Sequence, residues 1–92
     1  MEEWVFSVTG RVQGVGYRAF VLHSIKDNSI GVKGHVRNTP DDSVEVRAQG
    51  EIKELELLYE YLKQGPRMSR VEKVLISKSR QLSPFEDFRI EL

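Results

Sequence analysis

From Trp4 to Thr9 the side chains alternate, with Trp4, Phe6 and Val8 on one side and Val5, Ser7 and Thr9 on the other. That is the period of a half-buried strand. The run stops in a stretch holding Gly10, Gly14 and Gly16. Phe20, Val21 and Ile25 then recur at helical spacing, with Tyr17 one turn earlier, and predict a helix over Tyr17–Lys26. Asn28 and Gly31 supply turn chemistry. A second strand is predicted over Val32–Asn38, with Val32, Gly34 and Val36 on one face. Thr39-Pro40-Asp41-Asp42-Ser43 is a turn cluster, and Val44, Val46 and Ala48 form the inner face of the next strand, which completes a hairpin. Ile52, Leu55, Leu58 or Tyr59, and Leu62 stripe a helix over Glu51–Gln64, which Gly65-Pro66 stops. Val71 to Ser77 reads as a further strand, and a last short one runs through Phe85, Phe88 and Ile90.

The order is βαββαβ with an extra C-terminal strand. In so short a chain it predicts an α+β fold, the ferredoxin-like split-βαβ two-layer sandwich. No linker or repeat interrupts residues 1–92, so one domain is expected. Both helices should cover one face of the sheet and leave the other largely open. In this topology the first and second strands run parallel with the third between them. The Gly10–Arg18 loop and Asn38 then leave the same end of the sheet.

Composition narrows the chemistry. The 92 residues carry 14 Lys plus Arg, 14 Asp plus Glu and no Cys. Disulfide scaffolds, thiolate zinc sites and cysteine nucleophiles are therefore excluded. The balanced charge argues against a general polyanion binder. No apolar run approaches the roughly 18 residues that span a bilayer, and the acidic start is no signal peptide. The expectation is a cytoplasmic monomer with no membrane and no nucleic-acid partner. Charge is nevertheless uneven, since Asp27 is the only acid from Arg11 to Arg37, among Arg11, Arg18, Lys26, Lys33 and Arg37. A second basic run, from Arg67 to Arg80, lacks the aromatic set of an RNA-binding sheet and reads as a solvated strand edge.

Gly10-Arg11-Val12-Gln13-Gly14-Val15-Gly16-Tyr17-Arg18 joins a strand to a helix. Glycines allow successive N–H groups to turn inward. A nest of N–H groups at a helix N-terminus is an anion site, and Arg18 can add a bidentate fork for phosphate oxygens. The loop alone fits a tight turn beside a surface arginine equally well. It is no P-loop, because no Lys follows the glycines. The G-x-G-x-x-A match at Gly14–Ala19 sits in a chain too short for a dinucleotide-binding sheet.

The same stretch resembles the acylphosphatase signature, G-x-V-Q-G-V-x-[FY]-R. Gly34-His35-Val36-Arg37-Asn38, followed by a turn and Val44-Glu45-Val46, resembles that family's second signature. The resemblance spans essentially the whole chain. It implies hydrolysis of the carboxyl–phosphate bond of acyl phosphates, without metal or cofactor, with phosphate or sulfate as simple anionic ligands. By motif match Arg18 is the phosphate-binding arginine and Asn38 the water-orienting asparagine. Gln13, Gly14, Val15, Gly16 and Tyr17 would supply backbone N–H donors. His35 stands where the family usually carries an aromatic, and reads as a partly exposed strand residue. Asp42 stands where the family often has Gly, and Asp41-Asp42 reads as turn chemistry rather than a metal pair. Arg11 and Arg37 flank the loop and read as field-raising or as simply exposed. His23 and His35 form no metal-binding pattern. Two other readings are a phosphate- or acyl-phosphate-binding module without turnover and an RNA-binding ferredoxin-like domain.

Overall fold

Strand β1 (Glu2–Arg11) lies inside the sheet and makes two ladders, antiparallel to β3 (Val44–Gly50) on one side and to β4 (Arg70–Ser79) on the other. The computed structural model describes residues 1–92. Pairing on both sides explains why β1 runs past the apolar alternation in both directions. Ladder hydrogen bonds, not side chains, hold Glu2 and Arg11 extended. Beyond β3 lies β2 (Lys33–Asn38), antiparallel to it, and β5 (Phe88–Glu91) pairs parallel to β2 at the edge. The sheet order is β4-β1-β3-β2-β5. β1 and β2 are therefore parallel with β3 between them, the predicted ferredoxin-like α+β arrangement.

Helices α1 (Tyr17–Asp27) and α2 (Ile52–Gln64) cover the face that carries Trp4, Phe6, Val8, Val36, Val44, Val46 and Ala48. Leu55, Leu58 and Leu62 are the buried stripe of α2, while Ile52, in its first turn, is exposed. Burial of each such leucine contributes about 2 kcal/mol. The Tyr17 hydroxyl donates to the Leu62 carbonyl at 2.7 Å, tying the start of α1 to the end of α2. Burial pushes its phenol up, well above the ordinary range. No helix is long and apolar enough to cross a membrane.

The structure corrects the expected last strand and covers one part of the outer face, which stays open elsewhere, as at the exposed Leu75 of β4. Phe85 is not in β5. Residues 80–87 cross the outer face of the sheet as a strap, and Phe85 meets the His35 ring edge-on at 5.6 Å between centroids. Glu3, on that face, is 3 % exposed. Its carboxylate accepts from Arg47 at 2.8 Å, from Gln49 at 2.8 Å, and from the Ser83 N–H and hydroxyl at 2.7 and 3.0 Å. Desolvation raises the Glu3 carboxyl, but these donors outweigh it and bring it down to about 2. A depressed carboxyl stabilises the fold above its unfolded value and loses that contribution as pH falls through its folded value. The Glu3 contribution, about 3 kcal/mol, is therefore complete above about pH 5 and fades towards pH 2. Glu3→Gln should lower unfolding free energy at neutral pH by about 2–3 kcal/mol. It should also flatten the acid limb of stability, as urea titrations at several pH values would read.

Candidate active site

The loop between β1 and α1 is built by two left-handed glycines, Gly14 at φ 72° and Gly16 at φ 80°, the latter capping α1. A side chain at either would have space, so backbone conformation is what demands glycine there. The N–H groups of Gln13, Gly14, Val15 and Gly16 donate to no protein acceptor. They lie at the N-terminus of α1, where its dipole favours an anion.

Asn38 ends β2 opposite Val44, on the helix-facing side with Val36. Together with Gly14, Gly16, Tyr17 and Arg18 it lines one cavity of about 330 Å³. Gln13 and Val15 do not line it. Val12, Ala19, Ile90 and Leu92 give the cavity an apolar wall. The Asn38 Oδ1 is buried and accepts no hydrogen bond from the protein. Such an atom costs about 1–3 kcal/mol unless a donor reaches it. Arg18 Nη1 donates to the main-chain carbonyl of Glu91 in β5 at 3.2 Å, which leaves the rest of the guanidinium fork unused.

The Gln13 side chain has a part that the motif reading did not assign. Its Nε2 donates to the carbonyls of Thr39 and Ser43 at 2.9 and 2.7 Å, fastening the glycine loop to the β2–β3 turn next to Asn38. Nothing local signals this, since both acceptors lie more than 25 residues away. Gln13→Ala should lower kcat/KM about tenfold by letting loop and turn drift apart. It should lower stability by about 1–2 kcal/mol through two orphaned carbonyls. Kinetics and thermal melts on one sample would check both.

Asp42 takes φ 68°, the conformation a glycine would adopt, and the turn closes through Thr39 N–H to the Ser43 carbonyl at 2.9 Å. The side chain of Thr39 caps Asp41, which holds that carboxyl below its usual range. Asp41-Asp42 is thus a turn. No three His, Asp or Glu side chains are grouped to hold a metal ion. Arg37 is turned to the outer face and gives both its forks to Glu45, at 3.1 and 3.2 Å. Arg11 is exposed, and neither arginine lines the cavity. A second cavity, of about 310 Å³ beside the strap, is lined by Glu86, Asp87 and Glu91 against Arg89 alone and would repel a phosphate.

The acylphosphatase family model matches residues 4–90. The chain belongs to the acylphosphatase family. It is 46 % identical over 86 residues to an acylphosphatase of Koribacter versatilis, covering 94 % of this chain and 76 % of that one. Against an acylphosphatase of Thermus thermophilus it is 51 % identical over 74 residues, 80 % of this chain and 82 % of the other. The crystal structure of acylphosphatase from Bacillus subtilis superposes with a TM-score of 0.93 at 34 % identity, over 100 % of both chains. That acylphosphatase thus shares the overall fold described here.

Proposed function

We propose that this protein hydrolyses the carboxyl–phosphate bond of acyl phosphates by direct attack of a water, held by Asn38, on a phosphoryl group bound by Arg18 and the Gln13–Tyr17 loop. Acylphosphatase activity accords with family membership and with relatives of that name. The observation that carries the residue roles is the joint placement of Arg18, the glycine loop and Asn38 on one cavity wall.

The chemistry asks little more of the protein. Free N–H groups and the guanidinium hold the phosphoryl oxygens and stabilise charge developing on them. An unpartnered Oδ1 accepts a hydrogen from the water, which leaves the water's lone pair free to attack phosphorus. The new bond joins the water oxygen to phosphorus, and the bond from phosphorus to the acyl oxygen breaks. Its electron pair leaves on a carboxylate, whose conjugate acid has a pKa near about 4, so no general acid is needed. The water's proton passes to a phosphoryl oxygen, because no side chain able to serve as a base lines the cavity beside Asn38: Arg18 is a guanidinium and the Tyr17 hydroxyl is hydrogen-bonded.

That absence sets the test. With a chelator present, acetyl phosphate should be turned over, while the phosphate monoester of an aliphatic alcohol should bind without hydrolysis. Its alkoxide cannot leave unprotonated. Binding of both without turnover of either would replace the enzyme with a binding module.

A further inference from the structure

Arg18 sits among apolar neighbours. Ala19 follows it on α1, and the Glu91 carbonyl that accepts from its Nη1 at 3.2 Å lies between Ile90 and Leu92 along the chain. Ala19, Ile90 and Leu92 line the same cavity of about 330 Å³ as Arg18 and Asn38. Ile90 pairs in register with Val36 and so stands on the helix-facing side of β5, while Glu91 pairs with Arg37 on the outer side. No Asp or Glu lines the cavity, and Arg18 is the one Lys or Arg that does.

The cavity is graded in depth. Its floor holds Val12, 1 % exposed, and the buried Oδ1 of Asn38. Its rim holds Ala19 and Leu92, both exposed to solvent. In phosphoryl transfer the attacking and leaving oxygens stand roughly in line across phosphorus. With the water on Asn38 at the floor, the acyl oxygen points towards the rim. The acyl group then emerges beside Ala19 and Leu92.

We infer that Ala19, Ile90 and Leu92 form an acyl subsite, and that the preferred substrates are acyl phosphates with an apolar acyl group. This rests on the reading that Arg18 holds the phosphoryl group and Asn38 the water. An acyl chain laid over Leu92 and Ala19 removes apolar surface from water on both sides of the contact, so each added methylene gains in proportion to the area it covers. A carboxylate at the end of the chain meets no second cation in the cavity and loses that gain.

Alkylphosphonates test this apart from catalysis, because they keep an anionic head and a chain but cannot turn over. Their Kd would be read from the loop amides by NMR at a single pH. Hexylphosphonate should bind about tenfold tighter than methylphosphonate. A phosphonate chain of the same length ending in a carboxylate should bind no tighter than methylphosphonate. Leu92→Asn and Ala19→Asn, both at exposed positions, should each cut the hexyl-to-methyl ratio by about threefold or more. Leu75→Asn, on the outer face of β4, should keep the ratio. Equal affinity for the hexyl and methyl compounds, full gain in the carboxylate-tipped chain, or an unchanged ratio in either rim variant overturns the acyl subsite. Methylphosphonate binding unchanged in Arg18→Gln would instead overturn the anion-site reading beneath it.

Discussion

Arg18→Gln should lower kcat/KM for acetyl phosphate by about 10²–10³-fold, read from initial rates of acetate release with chelator present. The guanidinium makes one protein contact, to the Glu91 carbonyl at 3.2 Å, and its other donors are free to face the cavity. Gln keeps length and polarity but loses the charge and the fork. Both ground-state binding and transition-state stabilisation should suffer, so KM rises as kcat falls. Arg18→Lys should recover less than about tenfold of the loss, because an ammonium cannot hold the Glu91 carbonyl and two phosphoryl oxygens at fixed angles. Full recovery by Lys would mean that charge alone matters and that the fork geometry is irrelevant.

Asn38→Ala should behave differently. It should lower kcat by about 10²–10³-fold while leaving sulfate affinity within about twofold, since Asn38 is assigned to the water and not to the phosphoryl group. Stability should move the other way. The Oδ1 is buried without a protein donor, so removing it relieves a desolvation cost and should raise unfolding free energy by up to about 1 kcal/mol. Loss of activity with gain of stability is the signature of a polar group kept for chemistry. A large loss of both would assign Asn38 to the scaffold.

Much of this site is legible in the chain because local rules and the fold agree there. Trp4, Phe6 and Val8 alternate, and all three are buried. Gly14 and Gly16 are required by left-handed backbone, and both adopt it. Placing Asn38 beside the loop needs only the parallel relation of β1 and β2, which follows from the element order. What escapes the sequence depends on partners distant along the chain. Gln13 looks like one more polar loop residue until Thr39 and Ser43 come within reach of its side chain. His35 is buried because Phe85, Glu45 and Glu91 converge on it from three separate segments. Phe85 itself mimics a strand residue. Pro84 before it, the turn bond from its own N–H to the Ser83 carbonyl at 2.9 Å, and the Glu3 anchor at Ser83 draw it over the sheet instead. The partial cover over Glu3, His35 and Gln49 on the face opposite the helices escapes for the same reason, since it comes from a segment with no regular pattern.

The central claim is that water attacks phosphorus and the carboxylate leaves. Hydrolysis of acetyl phosphate in oxygen-18 water, followed by mass analysis of both products, tests it directly. The account predicts the label in inorganic phosphate and none in acetate. Label in the acetate would place the attack on the carbonyl carbon, and would contradict the roles assigned here to Arg18, the glycine loop and Asn38.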